Sequence, residues 1–222
     1  MVSMTRIFFG LALFAALLVV TDLLLGHTLF GYGQTARQYA TVLQKLEPAR
    51  RGDGSQAEPS LVKQRDELRT RFLAQQQRMV LHFWVGIGAV LVTLLVNSVC
   101  ITYFIGTHRW CREVVETYEL DPTLLASSYS LKRRTFPWSF AGILTAIAIA
   151  SFGAAADPAG YLRNEADKWV WPHYGCSLVG TGVIIGCFGV QLMNISANYK
   201  VICSVLARVK QVRQASGLNV SG

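Results

Sequence analysis

Residues 80–106 read VLHFWVGIGAVLVTLLVNSVCITYFIG, a run of 27 positions without Asp, Glu, Lys or Arg. Such a run exceeds the roughly 20 apolar residues that cross a ~30 Å hydrocarbon core. Three further apolar blocks, at 6–30, 138–156 and 174–195, have comparable lengths, and the charge collects between them. The 222 residues are 52% hydrophobic and 15% charged, whereas an ordinary soluble domain carries about a quarter charged residues. Lipid offers no water to an unpaired backbone amide, so a crossing segment closes its hydrogen bonds within a helix. The prediction is an all-α fold: an integral membrane four-helix bundle, forming one membrane domain over 1–222, with helices extending beyond the bilayer.

The first block resembles a secretory leader in having Arg6 before an apolar run. Residues 7–26 outlast the roughly 7–15 residues of a leader's hydrophobic region, and no A-x-A-like cleavage site follows. The block is read as an anchor.

Between the first two spans, Tyr39, Val42, Leu43 and Leu46 recur at helical spacing, and Leu61, Leu68, Phe72 and Met79 recur at steps of seven, four and seven. A breaker with Pro48, Gly52, Asp53, Gly54 and Pro59 joins them, so 35–79 reads as a helical hairpin with Ser60 as an N-cap. Nothing interrupts 61–106, which reads as one helix of about 69 Å. On the other side, Trp110, Val114 and Tyr118 prolong the second span, Asp121 and Pro122 look like an N-cap and first helical residue, and Pro137 is suited to start the third span. Helices are expected over 107–134 and 197–213. The latter carries an apolar stripe of Ile202, Val205, Val209 and Val212 among Lys200, Arg208, Lys210 and Arg213.

Lys and Arg set orientation. With the N-terminus inside, the cytoplasmic side carries ten and the opposite side eleven, Arg163 and Lys168 among them. The short loops discriminate better, five in the second against two in the third, and they favour both termini in the cytoplasm. Trp110 and Trp138 then mark the inner interface, and Trp84, Trp169 and Trp171 the outer one. The net charge of +8 is spread over both sides. That pattern suits anionic lipid head groups and argues against nucleic-acid binding.

Small residues show where membrane helices approach closely. The fourth span carries Gly175, Gly182, Gly186 and Gly189 on one stripe, and the third carries Gly142, Ala146, Ala150 and Ala154. Along the second span, His82, Gly86, Ala89, Thr93, Asn97 and Cys100 share a face. Asp22, Thr93 and Asn97 are the polar intramembrane seam, and an amide such as Asn97 is expected to turn towards another helix.

His27, His82 and His173 fall near one membrane face. Neutral imidazoles on facing helices can ligate iron, so haem b held by His82 with His27 or His173 is a candidate cofactor. Five residues separate Asp22 from His27, about 140° around a helix, so both cannot face the bundle centre. His108, Cys111 and Cys203 form a weaker metal-like grouping, and Asp157, Glu165 and Asp167 read as a solvated turn. Cys100, Cys111, Cys176, Cys187 and Cys203 lack C-x-x-C spacing and read as packing residues. The sequons at Asn194 and Asn219 read as chance.

No nucleophile elbow, P-loop, dinucleotide fingerprint or H-E-x-x-H motif is present, which lowers the expectation of an enzyme. The leading expectation is a non-enzymatic subunit or scaffold of a membrane complex or homo-oligomer. A b-type cytochrome is the alternative, and a small transporter or channel the third reading.

Overall fold

The computed structural model describes residues 4–50, 58–158, 160 and 165–216, the side chains of 49 and 50 excepted. Gly52, Asp53 and Gly54 of the breaker, Arg163 and the Asn219 sequon lie outside the described residues. Five helices form, in the order α1 (Met4–His27), α2 (Tyr32–Arg50), α3 (Pro59–Thr117), α4 (Pro122–Ala156) and α5 (Ala166–Ala215), and no strand occurs among the described residues. Helices α1, α3, α4 and α5 are long and apolar enough to cross a membrane. In the most apolar stretch of each, only 17–39% of residues are buried within the chain. The remainder is apolar surface with lipid as its natural solvent, and the chain is an integral membrane protein.

α3 explains the elongated build. Pro59 occupies its first turn, where a missing N–H costs nothing, and no proline follows in the next 58 residues. The helix therefore runs for about 88 Å, taking in the expected 61–106 and its expected prolongation past Trp110 and Val114. Its N-cap is Glu58, and Ser60 lies inside the helix with its hydroxyl donating to Glu58 Oε1 at 2.6 Å. This corrects the expected cap at Ser60. At the far end Glu119 takes φ 50, and the Leu120 N–H reaches back to the Val115 carbonyl at 3.0 Å. That is a Schellman closure in which Glu stands where Gly is usual. Asp121 then caps α4, its Oδ1 accepting from the Thr123 N–H at 2.8 Å, with Pro122 next.

Three expectations about breaks need correction. Pro48, expected in the breaker, lies inside α2; Pro137 does not begin the third span but lies within the continuous 35-residue α4, and Pro172 lies inside α5. The stretch 197–213 is likewise the end of α5 and not a separate helix.

α1 runs antiparallel to α3, since Met4 lines a surface groove with Thr102 and Thr107 while Asp22 reaches His82. α5 runs parallel to α3, with His173 beside His82 and Asn198 beside Thr107. Around the bundle the neighbours are α1–α3, α3–α4, α4–α5 and α5–α1, so α3 and α5 face each other across the diagonal. The apolar core includes Phe8, Ala15, Ala89, Val96, Phe104, Ile184 and Ile195.

The hairpin has its own small core. Val42 and Leu46 of α2 are buried against Leu68 of α3. Tyr32 and Tyr39 stack on the Phe72 ring at centroid distances of 5.8 and 5.5 Å. Arg37 of α2 pairs with Asp167 at the start of α5, so Asp167 is not part of a free turn. Both partners are half exposed or more, which makes the pair a weak tether.

Candidate functional site

The centre line of the bundle is polar where α3 and α5 meet across the diagonal. Amid the apolar core, polar side chains of the two helices approach one another at three levels.

At the hairpin end, His82 Nδ1 lies 2.7 Å from Asp22 Oδ1, and each side chain is only 16% exposed. The His173 ring lies 6.3 Å from the His82 ring. Glycines permit this convergence. A Cβ on Gly86 would stand 3.2 Å from Asp22 Oδ2, one on Gly26 3.2 Å from His82 Cε1, and one on Gly153 3.1 Å from His173 Cε1. Each ring or carboxylate thus lies directly on a neighbouring helix backbone. His27 belongs elsewhere: its ring lies 5.9 Å from Tyr174 and 5.6 Å from Phe30, in an aromatic group that includes Trp171. The angular separation of Asp22 from His27 is thereby accounted for.

At mid-membrane, Asn97 is wholly buried. Its Nδ2 donates to the Thr93 carbonyl at 2.8 Å, and its Oδ1 accepts from Gln191 Nε2 at 2.8 Å. The amide is satisfied from its own helix and from α5 together, the resolution that hydrocarbon demands of a polar group. It rests on Gly142 of α4, whose Cβ, if it had one, would stand 2.8 Å from Asn97 Oδ1. At the tail end, Asn194 donates to Thr135 Oγ1 at 3.0 Å, and Asn198 donates to Thr107 Oγ1 at 3.0 Å and Tyr103 Oη at 3.2 Å. Among the described residues, buried Gln191 Oε1, Asn198 Oδ1 and the Thr93 and Thr181 hydroxyls have no hydrogen-bond partner. Buried polar atoms of that kind are where internal water binds.

Asp22, Thr93 and Asn97 therefore do not form one seam. Thr93 and Asn97 share the middle level, while Asp22 lies beside His82 above an apolar layer of Ala15, Val19, Ala89 and Ala146. Gln191, Asn194 and Asn198 were not read as site residues, although their three- and four-residue spacing continues the buried face of Thr181, Ile184 and Phe188.

The small-residue faces divide. Gly142 and Ala146 are buried in α4, whereas Ala150 and Ala154 are exposed. Gly175, Gly182, Gly186 and Gly189 of α5 are all exposed, and a Cβ on any of them would meet nothing within 4 Å. Among the described residues they pack against no other helix. The close approach in α5 is made by Gly180, where a Cβ would meet Ile149 Cδ1 at 2.7 Å and Thr145 Cγ2 at 2.9 Å.

The five cysteines are free; Cys100, Cys111 and Cys187 are buried, Cys176 is half-buried, and Cys203 is exposed, so it does not serve packing within the chain. His108 faces the Tyr129 ring at 5.6 Å. Among the described residues no group of three His, Cys, Asp or Glu is arranged to hold a metal ion. Comparison of the chain with protein-family models, with curated proteins and with solved structures finds no match.

Proposed function

We propose that the chain is a non-enzymatic subunit of a larger membrane complex, or a scaffold that assembles with copies of itself, docking through the outer face of α5. The supporting observation is the stripe of Gly175, Gly182, Gly186 and Gly189, open along its length and flanked by exposed Leu178, Val179, Ile185 and Met193. Between lipid-bathed helices, small residues bring backbones close enough for dispersion and weak hydrogen bonds to drive association. A stripe left open by its own bundle is available to a helix from outside it. We orient the hairpin outwards and both termini towards the cytoplasm, from the five Lys and Arg of the second loop against two in the third. The partners are the bilayer and other membrane helices, with no role for nucleic acid.

Native mass spectrometry of gently solubilised protein tests the assignment. The expected result is an oligomer or a hetero-complex that falls to monomer in Gly182→Leu/Gly186→Leu, with the monomer's helical content unchanged. A wild-type chain that is monomeric in native-lipid nanodiscs overturns it.

Haem b receives less support. The Gly26 and Gly153 backbones lie against the His82 and His173 rings, leaving a flat macrocycle no slot between these groups. An absorption spectrum without a Soret band agrees with this; a Soret band lost in His82→Ala would restore the cytochrome reading. A channel has similarly little support, because the apolar layer separates Asp22 from Thr93 and Asn97.

A further inference from the structure

The Asp22–His82–His173 cluster is set where burial, charge and access combine. Its three members come from three helices: Asp22 from α1, His82 from α3 and His173 from α5. The fourth helix, α4, has no titratable side chain over 138–156; it offers the backbone beside Gly153 and the Ile149 carbonyl, which the His173 ring reaches. Arg78, one turn before His82 on α3, is exposed. Among the described residues the cluster therefore contains one carboxylate and two imidazoles, and the charged groups acting on His173 are Asp22 and His82.

That composition fixes the proton count. With one proton between them, 2.7 Å apart, Asp22 and His82 are neutral overall, whether the carboxyl or the imidazole holds it. A carboxylate buried without that proton would be an uncompensated charge, which low-dielectric surroundings oppose. A second proton has His173 as its acceptor, and the cluster then carries one positive charge with two imidazole rings 6.3 Å apart. Such closely placed groups titrate as a unit, each occupancy altering the next.

Access is one-sided. Immediately below the cluster the core is apolar at Val19, Ala89 and Ala146. The next buried polar side chains are Thr181, about 12 Å further along α5, and Thr93, about 16 Å further along α3. On the other side the partly exposed edges of Asp22 and His82 lie near the hairpin end of the bundle. We propose that Asp22, His82 and His173 form a buried proton-binding site that exchanges protons with the hairpin side of the membrane alone and holds a coupled pair of protons. The ligand is the proton itself, since the described residues offer no set of ligands for a metal ion.

Histidine-selective 15N NMR of the full chain in lipid nanodiscs, titrated across pH, tests this directly, because there are only four histidines. In the wild type, the His82 curve is expected to respond to Asp22, so that Asp22→Asn displaces it. His82→Gln is expected to move the His173 midpoint by about one pH unit or more, the interaction at which two sites titrate as a pair. His27→Gln and His108→Gln are expected to leave both curves in place. If Asp22→Asn fails to fold, His173→Gln serves instead: it leaves the Asp22 pair intact and is expected to alter the His82 curve. A pH step confined to the hairpin face of reconstituted vesicles is expected to titrate the site, and the same step on the tail face to leave it unchanged. Independent His82 and His173 curves overturn the coupled site, and titration from the tail face overturns the one-sided access.

Discussion

Gly142→Ala is the sharpest probe of the mid-membrane level. The added methyl would stand 2.8 Å from Asn97 Oδ1 and 3.0 Å from Nδ2, where ordinary contact begins at 3.4 Å. The amide must therefore retreat by about 0.6 Å, the difference between 3.4 and 2.8 Å. It has no slack, because Thr93 and Gln191 hold its two ends at 2.8 Å each. Losing the Gln191 bond leaves a buried acceptor unsatisfied, which together with the overpacking costs about 1–3 kcal/mol. Replacing a helical glycine by alanine otherwise contributes roughly 0.5–1 kcal/mol. In an Asn97→Ala background the obstructing amide is gone and only this gain remains. The same methyl should thus destabilise the wild type and stabilise Asn97→Ala, a reversal of sign measurable by denaturant or thermal unfolding in detergent. An equal cost in both backgrounds, or stabilisation of the wild type, would refute the account of the network.

Gly180→Val should destabilise the bundle by about 1–3 kcal/mol through overpacking against Ile149 and Thr145, whereas Gly186→Val should leave monomer stability nearly unchanged; thermal melts of the two variants compare them. Glu119→Gly should raise stability by roughly 1–2 kcal/mol, because it removes an L side chain from a left-handed conformation, and a lower melting temperature would count against the turn described. Asp121→Ala should destabilise the start of α4 at neutral pH. The Thr123 N–H holds the Asp121 carboxyl below the usual carboxylate range, so its stabilisation is present above the unfolded-state pKa and is lost as pH falls through the lower folded one. The gap between wild type and variant should accordingly close in acid, and a gap that widens there would contradict the cap.

Much of this architecture could be read from the chain because lipid simplifies the code. Length and the absence of charge locate the four crossing helices, and the unbroken stretch from Leu61 to Gly106 announces the long α3. The prolines misled because their meaning is positional: Pro59 and Pro122 sit in first turns, while Pro137 and Pro172 lie inside helices, and the residue alone does not say which. Small-residue stripes show that a backbone can be approached but not by which helix. For that reason Gly142 proved internal, whereas the more regular Gly175–Gly189 stripe faces outwards and Gly180 escaped notice. Asp22 and His82 were each conspicuous as polar groups in apolar blocks. Their pairing was not, since 60 positions separate them and helix periodicity relates only residues on the same helix. Gln191 and Asn198 were overlooked beside the glycine pattern of their own span, although Asn97 required some partner of their kind.

The uninterrupted course of α3 has a mechanical consequence. A rod of about 88 Å passing through a ~30 Å hydrocarbon layer has no joint at which to absorb a push. Some 21 of its residues precede position 80, about 32 Å at 1.5 Å per residue, so a ten-degree tilt sweeps its tip through roughly 5 Å. A load applied at the Phe72 ring stack is delivered, through the same rigid body, to the Glu119 turn at the other end.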